Sequence, residues 1–100
     1  MINFELITGF DWNRANSAKI IDKHNVLPSE AEQVFMNQPL IITEDEVHSS
    51  REKRWAALGF TSGGRLLFVS FTLREENTLI RIISARDMTK KEQQAYERHQ

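Results

Sequence analysis

Cysteine is absent from the chain, so no disulfide, thiolate metal site or cysteine nucleophile can belong to its chemistry. That absence fits a reducing compartment. No apolar run approaches the roughly 20 residues that cross a bilayer. The opening stretch MINFELITGFDWNR carries an acid at Glu5 and has neither a leading basic cluster nor an apolar block, so it does not read as a signal peptide. A cytoplasmic protein with no membrane partner is expected. With only two prolines and four glycines there is no flexible linker, and no repeat or low-complexity tract interrupts the chain. At 100 residues, 1–100 reads as a single domain. No Gly-rich phosphate loop is present; Gly63-Gly64 reads as a hairpin turn. The three histidines, His24, His48 and His99, lie far apart without ligand spacing, so no metal or cofactor is expected.

What is present is enough apolar residue for a modest core, 40% of the chain with six Phe, and an uneven distribution of charge. Residues 1–50 hold three Lys/Arg against eight Asp/Glu, whereas residues 51–100 hold ten against six. A net charge of −1 therefore hides a basic C-terminal half, which could offer one face to a polyanion or belong to an ordinary mixed surface.

Periodicity predicts an α+β domain. Ile2, Phe4 and Leu6 alternate with Asn3 and Glu5 as in a strand. A helix follows from about Asn13 to His24, with Asn13 or Asp11 as its cap and Asn25 as a left-handed stop. A second helix is expected from Ser29, with Ser29 and Glu32 as a capping box and Pro39 as its end. Strands are predicted at Leu40–Thr43, Arg54–Phe60, Arg65–Leu73 and Leu79–Arg86, with turns at Ser62-Gly63-Gly64 and Glu75-Glu76-Asn77. Leu67, Val69, Phe71 and Leu73 share one face of the third of these strands. Thr89 and Glu92 form another capping box, opening a C-terminal helix to about His99. Only Ala95 and Tyr96 give that helix an apolar side, so weak docking is expected. The order β-α-α-β-β-β-β-α implies an antiparallel meander with helices packed on it and one sheet face left for a partner or a site.

The candidates for chemistry are Lys23, His24, His48, Glu52, Arg54, Arg81 and Arg86, with Trp12, Trp55 and Tyr96 as aromatic companions. Arg81 and Arg86 bracket Ile82-Ile83-Ser84-Ala85; in a regular strand they point to opposite faces, unless Arg86 lies beyond the strand end. An arginine within an apolar strand is either paired with an acid across the sheet or used as a fork for phosphate. Arg54 reads the same way, and Trp55 reads as core. Lys23 and His24 complement the dipole at a helix C-terminus or serve a site. His48 and Glu52 belong to a polar loop that is either simply solvated or suited to acid–base work.

In order, Phe10-Asp11-Trp12, Lys23-His24, Asp45 with His48, Arg54-Trp55 and Arg81-Ile82-Ile83-Ser84-Ala85-Arg86 resemble the BrnT family of toxins, from about Phe10 to Glu97. Asn13 and Asn16 stand where that family usually has Asp and Lys. The resemblance implies a RelE-like fold and a ribonuclease toxin of a type II toxin–antitoxin pair. It also implies neutralisation by a BrnA-like antitoxin, with operator DNA bound only through the toxin–antitoxin complex. Metal-free RNA cleavage needs a base for the 2′-hydroxyl, cations for the phosphorane and an acid for the leaving oxygen. Glu52 or His48 could be the base, Arg54, Arg81 and Arg86 the clamp, and His24 or Lys23 the acid. Single-stranded RNA would be the substrate, with a base stacked on Trp12 or Tyr96. The rival expectations are a protein-interaction module of the same fold without catalysis and a plain nucleic-acid-binding domain.

Overall fold

Asn3 decides how the chain begins. Its side chain accepts a hydrogen bond from the Glu5 amide at 3.1 Å, closing a 3-10 turn over Phe4–Leu6. The alternation of Ile2, Phe4 and Leu6 therefore does not produce the predicted strand, because a local side-chain bond outcompetes sheet pairing. In the computed structural model, which describes residues 2–99, the first strand is β1, Gly9–Phe10. The other elements are α1 (Arg14–His24), α2 (Pro28–Val34), β2 (Ile41–Glu44), β3 (Trp55–Phe60), β4 (Leu66–Arg74), β5 (Leu79–Asp87) and α3 (Lys90–Glu97). No helix among the described residues is long and apolar enough to cross a membrane.

The five strands lie in the order β1-β5-β4-β3-β2. Strands β2 to β5 form the expected antiparallel meander. The sheet as a whole is mixed, however, because Gly9 and Phe10 pair in parallel with Leu79 and Ile80. Two helices and three strands separate β1 from β5, enough chain for the crossover that parallel pairing requires. Beyond Ile80 the edge of β5 is met by α1. Asn16 donates from Nδ2 to the Ile82 carbonyl at 3.3 Å, satisfying an acceptor that β1 is too short to reach.

Asn13 and Asn16 also cap α1 reciprocally, each side chain accepting from the other's amide, at 2.9 and 2.7 Å. Asn25 ends the helix in the left-handed conformation at φ 53°. Helix α2 starts one residue earlier than predicted. Pro28 occupies the first turn, where no amide is missed, and Glu30 rather than Glu32 supplies the cap, accepting from the Leu27 amide at 3.0 Å. The helix is over at Val34, well before Pro39.

The core lies on one face of the sheet, where Ile20, Val26, Ala31 and Val34 meet Ala57, Leu67, Val69, Phe71, Ile80, Ile82 and Ala85. Gly59 allows α2 its close approach, since a Cβ there would meet Val34 Cγ1 at 2.7 Å. Edge-to-face contacts link Phe10, Phe35 and Phe71, and Trp55 stacks on Phe71. Arg65 ties the end of α1 to this body. It grips Asp87 at 2.7 and 3.2 Å, donates to the Asn25 carbonyl at 2.9 Å and pairs with Glu30.

A bulge in β5 reverses the expected relation between two arginines. Ser70 pairs with Ser84 but Phe71 pairs with Ile82, leaving Ile83 as an extra residue. Ile80, Ile82 and Ala85 therefore all face the core, while Arg81, Ser84 and Arg86 share the opposite face. The two arginines lie opposite Thr72 and Phe68, about 13 Å apart at about 3.3 Å per residue.

The docking of α3 is firmer than its short apolar side suggested. Tyr96 is fully buried and its hydroxyl donates to the Pro39 carbonyl. The predicted Thr89–Glu92 capping box is formed, at 3.2 and 2.9 Å.

Candidate active site

The face of the sheet away from the core opens into a cleft of about 510 Å³. Helix α1 supplies Lys19, Lys23 and His24 along one wall. Lys19 and Lys23 are one helical turn apart and so lie above one another. The loop between β2 and β3 supplies Asp45, His48 and Arg54. Phe68 and Ser70 come from β4, and Ile83, Ser84 and Arg86 from β5. The floor exists in this form because the bulge at Ile83 turns Ser84 and Arg86 away from the core, to the side of Arg81.

Two lysines, two arginines and two histidines thus face one acid, Asp45. Asp45 is committed to His48: its Oδ2 lies 2.9 Å from His48 Nδ1, and its Oδ1 accepts from the His48 amide at 3.3 Å. Burial works to raise the Asp45 carboxyl, but the His48 hydrogen bonds and the charges of His48 and Arg54 outweigh it and hold the group below the ordinary aspartate value. Ser49 closes the loop, donating to the Asp45 carbonyl at 2.6 Å and accepting from the Arg54 amide at 3.0 Å. The aspartate and histidine are therefore presented by a fastened turn.

The cations differ in how they are held. Arg86 is fixed: its guanidinium lies 4.2 Å over the Phe68 ring, donates to both oxygens of Glu92 at 2.8 and 3.0 Å, and reaches the Asp87 carbonyl at 3.1 Å. The Glu92 hydrogen bonds raise the arginine's pKa further, against the opposing effect of burial. Among the described residues Lys19, Lys23 and Arg54 have no acid in ion-pair range. Arg54 also holds a buried Nε with no hydrogen-bond partner. An unneutralised cation row beside an oriented imidazole suits an anionic substrate that undergoes proton transfer.

Of the residues singled out in the sequence, Lys23, His24, His48, Arg54 and Arg86 meet in this cleft. Glu52 does not line it; it pairs with Arg74 at 3.3 Å in a neighbouring pocket. Arg81 pairs with Asp11 at 3.4 Å and lines a smaller cavity with Asn13, Asn16 and Lys19. Trp12 is packed against the core and donates from Nε1 to Glu32 at 2.7 Å. Tyr96, fully buried, has no open face on which a base could stack. Sequence reasoning passed over Lys19, whose signal was its four-residue spacing from Lys23. It placed Asp45 beside His48 only through the resemblance, although a separation of three fits a turn that brings the two together. Ser84 stood out only as part of the Arg81–Arg86 motif and Ser70 not at all, since their meeting depends on strand register.

The fold and cleft together define an α+β protein with three helices, a five-stranded mixed sheet and a cation-rich site built on its open face. The family model for BrnT, ribonuclease toxin of type II toxin–antitoxin systems, matches residues 12–92, and the chain belongs to that family. The matched segment contains every residue that lines the cleft. Membership of a type II system implies an antitoxin partner. No curated protein matches the chain significantly.

Proposed function

We propose that this chain is an active, metal-independent endoribonuclease of RelE-like fold that cuts single-stranded RNA in the cytoplasm and is neutralised by a BrnA-like antitoxin. The observation that carries the reading is the Asp45–His48 pair set among Lys19, Lys23, Arg54 and Arg86. With Asp45 ionised, the shared hydrogen bond needs the proton on His48 Nδ1, which leaves Nε2 as the basic nitrogen facing the substrate. His48 takes the proton of the ribose 2′-hydroxyl as O2′ attacks phosphorus. The P–O5′ bond breaks, and the departing O5′ receives a proton from Lys23 or His24, across the cleft. Arg54 and Arg86 donate to the non-bridging oxygens as charge builds on the phosphorane. The product is a 2′,3′-cyclic phosphate and a free 5′-hydroxyl. Nothing in this sequence of bond changes requires a metal.

Single-stranded RNA is favoured because in-line attack needs a backbone free to turn, and Phe68 and Ile83 offer apolar surface against which an unstacked base can lie. The test is incubation of purified protein with RNA in excess EDTA. Cleavage yielding cyclic-phosphate ends is expected. Dependence on an added divalent ion, or 5′-phosphate products, would overturn the mechanism.

A further inference from the structure

We infer that a second pocket, lined by Arg51, Arg54 and Arg74, is a phosphate subsite that holds the RNA phosphate adjoining the scissile one. The inference rests on the reading of the cleft as an RNA-cleaving site. The pocket has a volume of about 340 Å³ and is completed by His48, Ser50 and Glu52. Its position is the first argument: His48 and Arg54 line both this pocket and the cleft, so the two adjoin at these side chains. A strand whose reacting phosphate sits beside His48 must leave the cleft somewhere, and this exit is paved with guanidinium groups.

Charge is the second argument. Three arginines share the pocket with one acid. That acid, Glu52, engages only Nη2 of Arg74, at 3.3 Å. Arg51 is exposed and among the described residues pairs with no acid. The Nε atoms of Arg54 and Arg74 are both buried without a hydrogen-bond partner. Folding has brought three guanidinium groups together beside a single carboxylate, a costly arrangement that a bound anion relieves. Guanidinium forks match the oxygens of a phosphodiester better than a point charge would, and a phosphate set between Arg51 and Arg74 receives donors from two sides. Every residue that lines the pocket is polar or charged, so the pocket reads backbone and not sequence.

The test uses full-length protein and short RNAs with 2′-O-methyl groups, which cannot be cleaved. One ligand carries a single internucleotide phosphate; two others add a terminal phosphate at the 5′ or the 3′ end. For the wild-type protein one of the two additions should tighten binding on the order of tenfold and steepen the salt dependence by about 0.7 in log–log slope. Arg51→Ala, a surface change that leaves the fold intact, should reduce this gain several-fold, and Arg51→Ala with Arg74→Ala should abolish it. Neither should alter affinity for the single-phosphate ligand. With cleavable RNA, the double variant should raise KM for a longer substrate and leave kcat on a dinucleotide unchanged. A wild-type protein that cleaves RNA yet gains nothing from either terminal phosphate overturns the subsite alone. A protein that neither binds the single-phosphate ligand nor cleaves overturns the reading of the cleft, and the subsite with it. If the variants keep the gain but fail to bind purified antitoxin, the patch is a protein interface and the subsite is wrong.

Discussion

Glu92 holds Arg86 with both carboxylate oxygens while also capping α3 through the Thr89 amide. One side chain thus fixes a cation of the cleft and the start of the helix that follows β5. Glu92 is held below the ordinary glutamate value, first by the Arg86 hydrogen bond, against desolvation, and then by Thr89. A depressed carboxyl contributes stability that is present above its unfolded value and lost as pH falls through its folded value. Glu92→Gln keeps an acceptor for the cap and removes the charge. It should cost up to about 1 kcal/mol near neutral pH, since both side chains are partly solvated. The wild type should lose more of its thermal stability than the variant between roughly pH 5 and pH 3. Equal losses in parallel melts would show that the ion pair contributes nothing.

Tyr96→Phe separates support from substrate contact. Loss of the hydroxyl leaves the Pro39 carbonyl without that donor, and urea denaturation should show a loss of about 1 kcal/mol. Cleavage rates below the transition should match the wild type. A rise in KM for RNA would reinstate Tyr96 as a binding residue.

The β5 bulge makes the two outer arginines comparable in direction but not in task. Arg86 lines the cleft, whereas Arg81 is paired with Asp11 in the adjoining cavity. Arg86→Ala should lower kcat by about 10²–10³, the usual cost of removing a donor from a developing oxyanion. Arg81→Ala should change kcat by less than about tenfold. Initial rates at saturating RNA decide the matter, and an Arg81 variant as impaired as the Arg86 variant would move the scissile phosphate toward Asn16.

Much of the meander was legible because its determinants are local. Alternation from Leu67 to Phe71, the Gly63-Gly64 hairpin and the Thr89–Glu92 box each depend on residues close in sequence. The errors arose where a distant or competing partner decided. Asn3 folded back on the Glu5 amide and removed a strand whose alternation was sound. Ser29 lost the start of α2 to Pro28, with Glu32 drawn away by the indole of Trp12. The bulge at Ile83 depends on how β4 and β5 align, so parity counting put Arg81 and Arg86 on opposite faces. The cleft was legible as a set of residue types, and five of its members were named as candidates for chemistry. Which cations stayed unpaired was not legible, because Glu52, Asp11 and Glu92 find their arginines only in three dimensions.

Gly59 tests the packing that carries this cleft. Helix α2 lies so close to β3 that a Cβ at Gly59 would also approach the Val34 carbonyl at 3.2 Å. Gly59→Ala should therefore destabilise the fold by about 1–3 kcal/mol, measured by urea denaturation. The double variant Gly59→Ala, Val34→Ala should recover part of the loss. A neutral single variant would mean that α2 can move away from the sheet freely.

Asp45→Asn probes the chemical step itself. The substituted side chain could still bond to His48 Nδ1, but through either its amide or its carbonyl, so the imidazole is no longer restricted to the tautomer with a basic Nε2. The rate of cleavage should fall by about 10²–10⁴ with little change in KM, because proton transfer is lost and the cation row is kept. Asp45→Glu should restore part of kcat. The wild-type carboxyl, held low by His48, stays ionised below the ordinary aspartate range, so acidification from neutral pH toward that range should not switch the activity off through Asp45. Single-turnover rates across that pH span are the measurement. A D45N variant whose rate stays close to that of the wild type would leave His48 without a basic role, and the base would have to be sought elsewhere in the cleft.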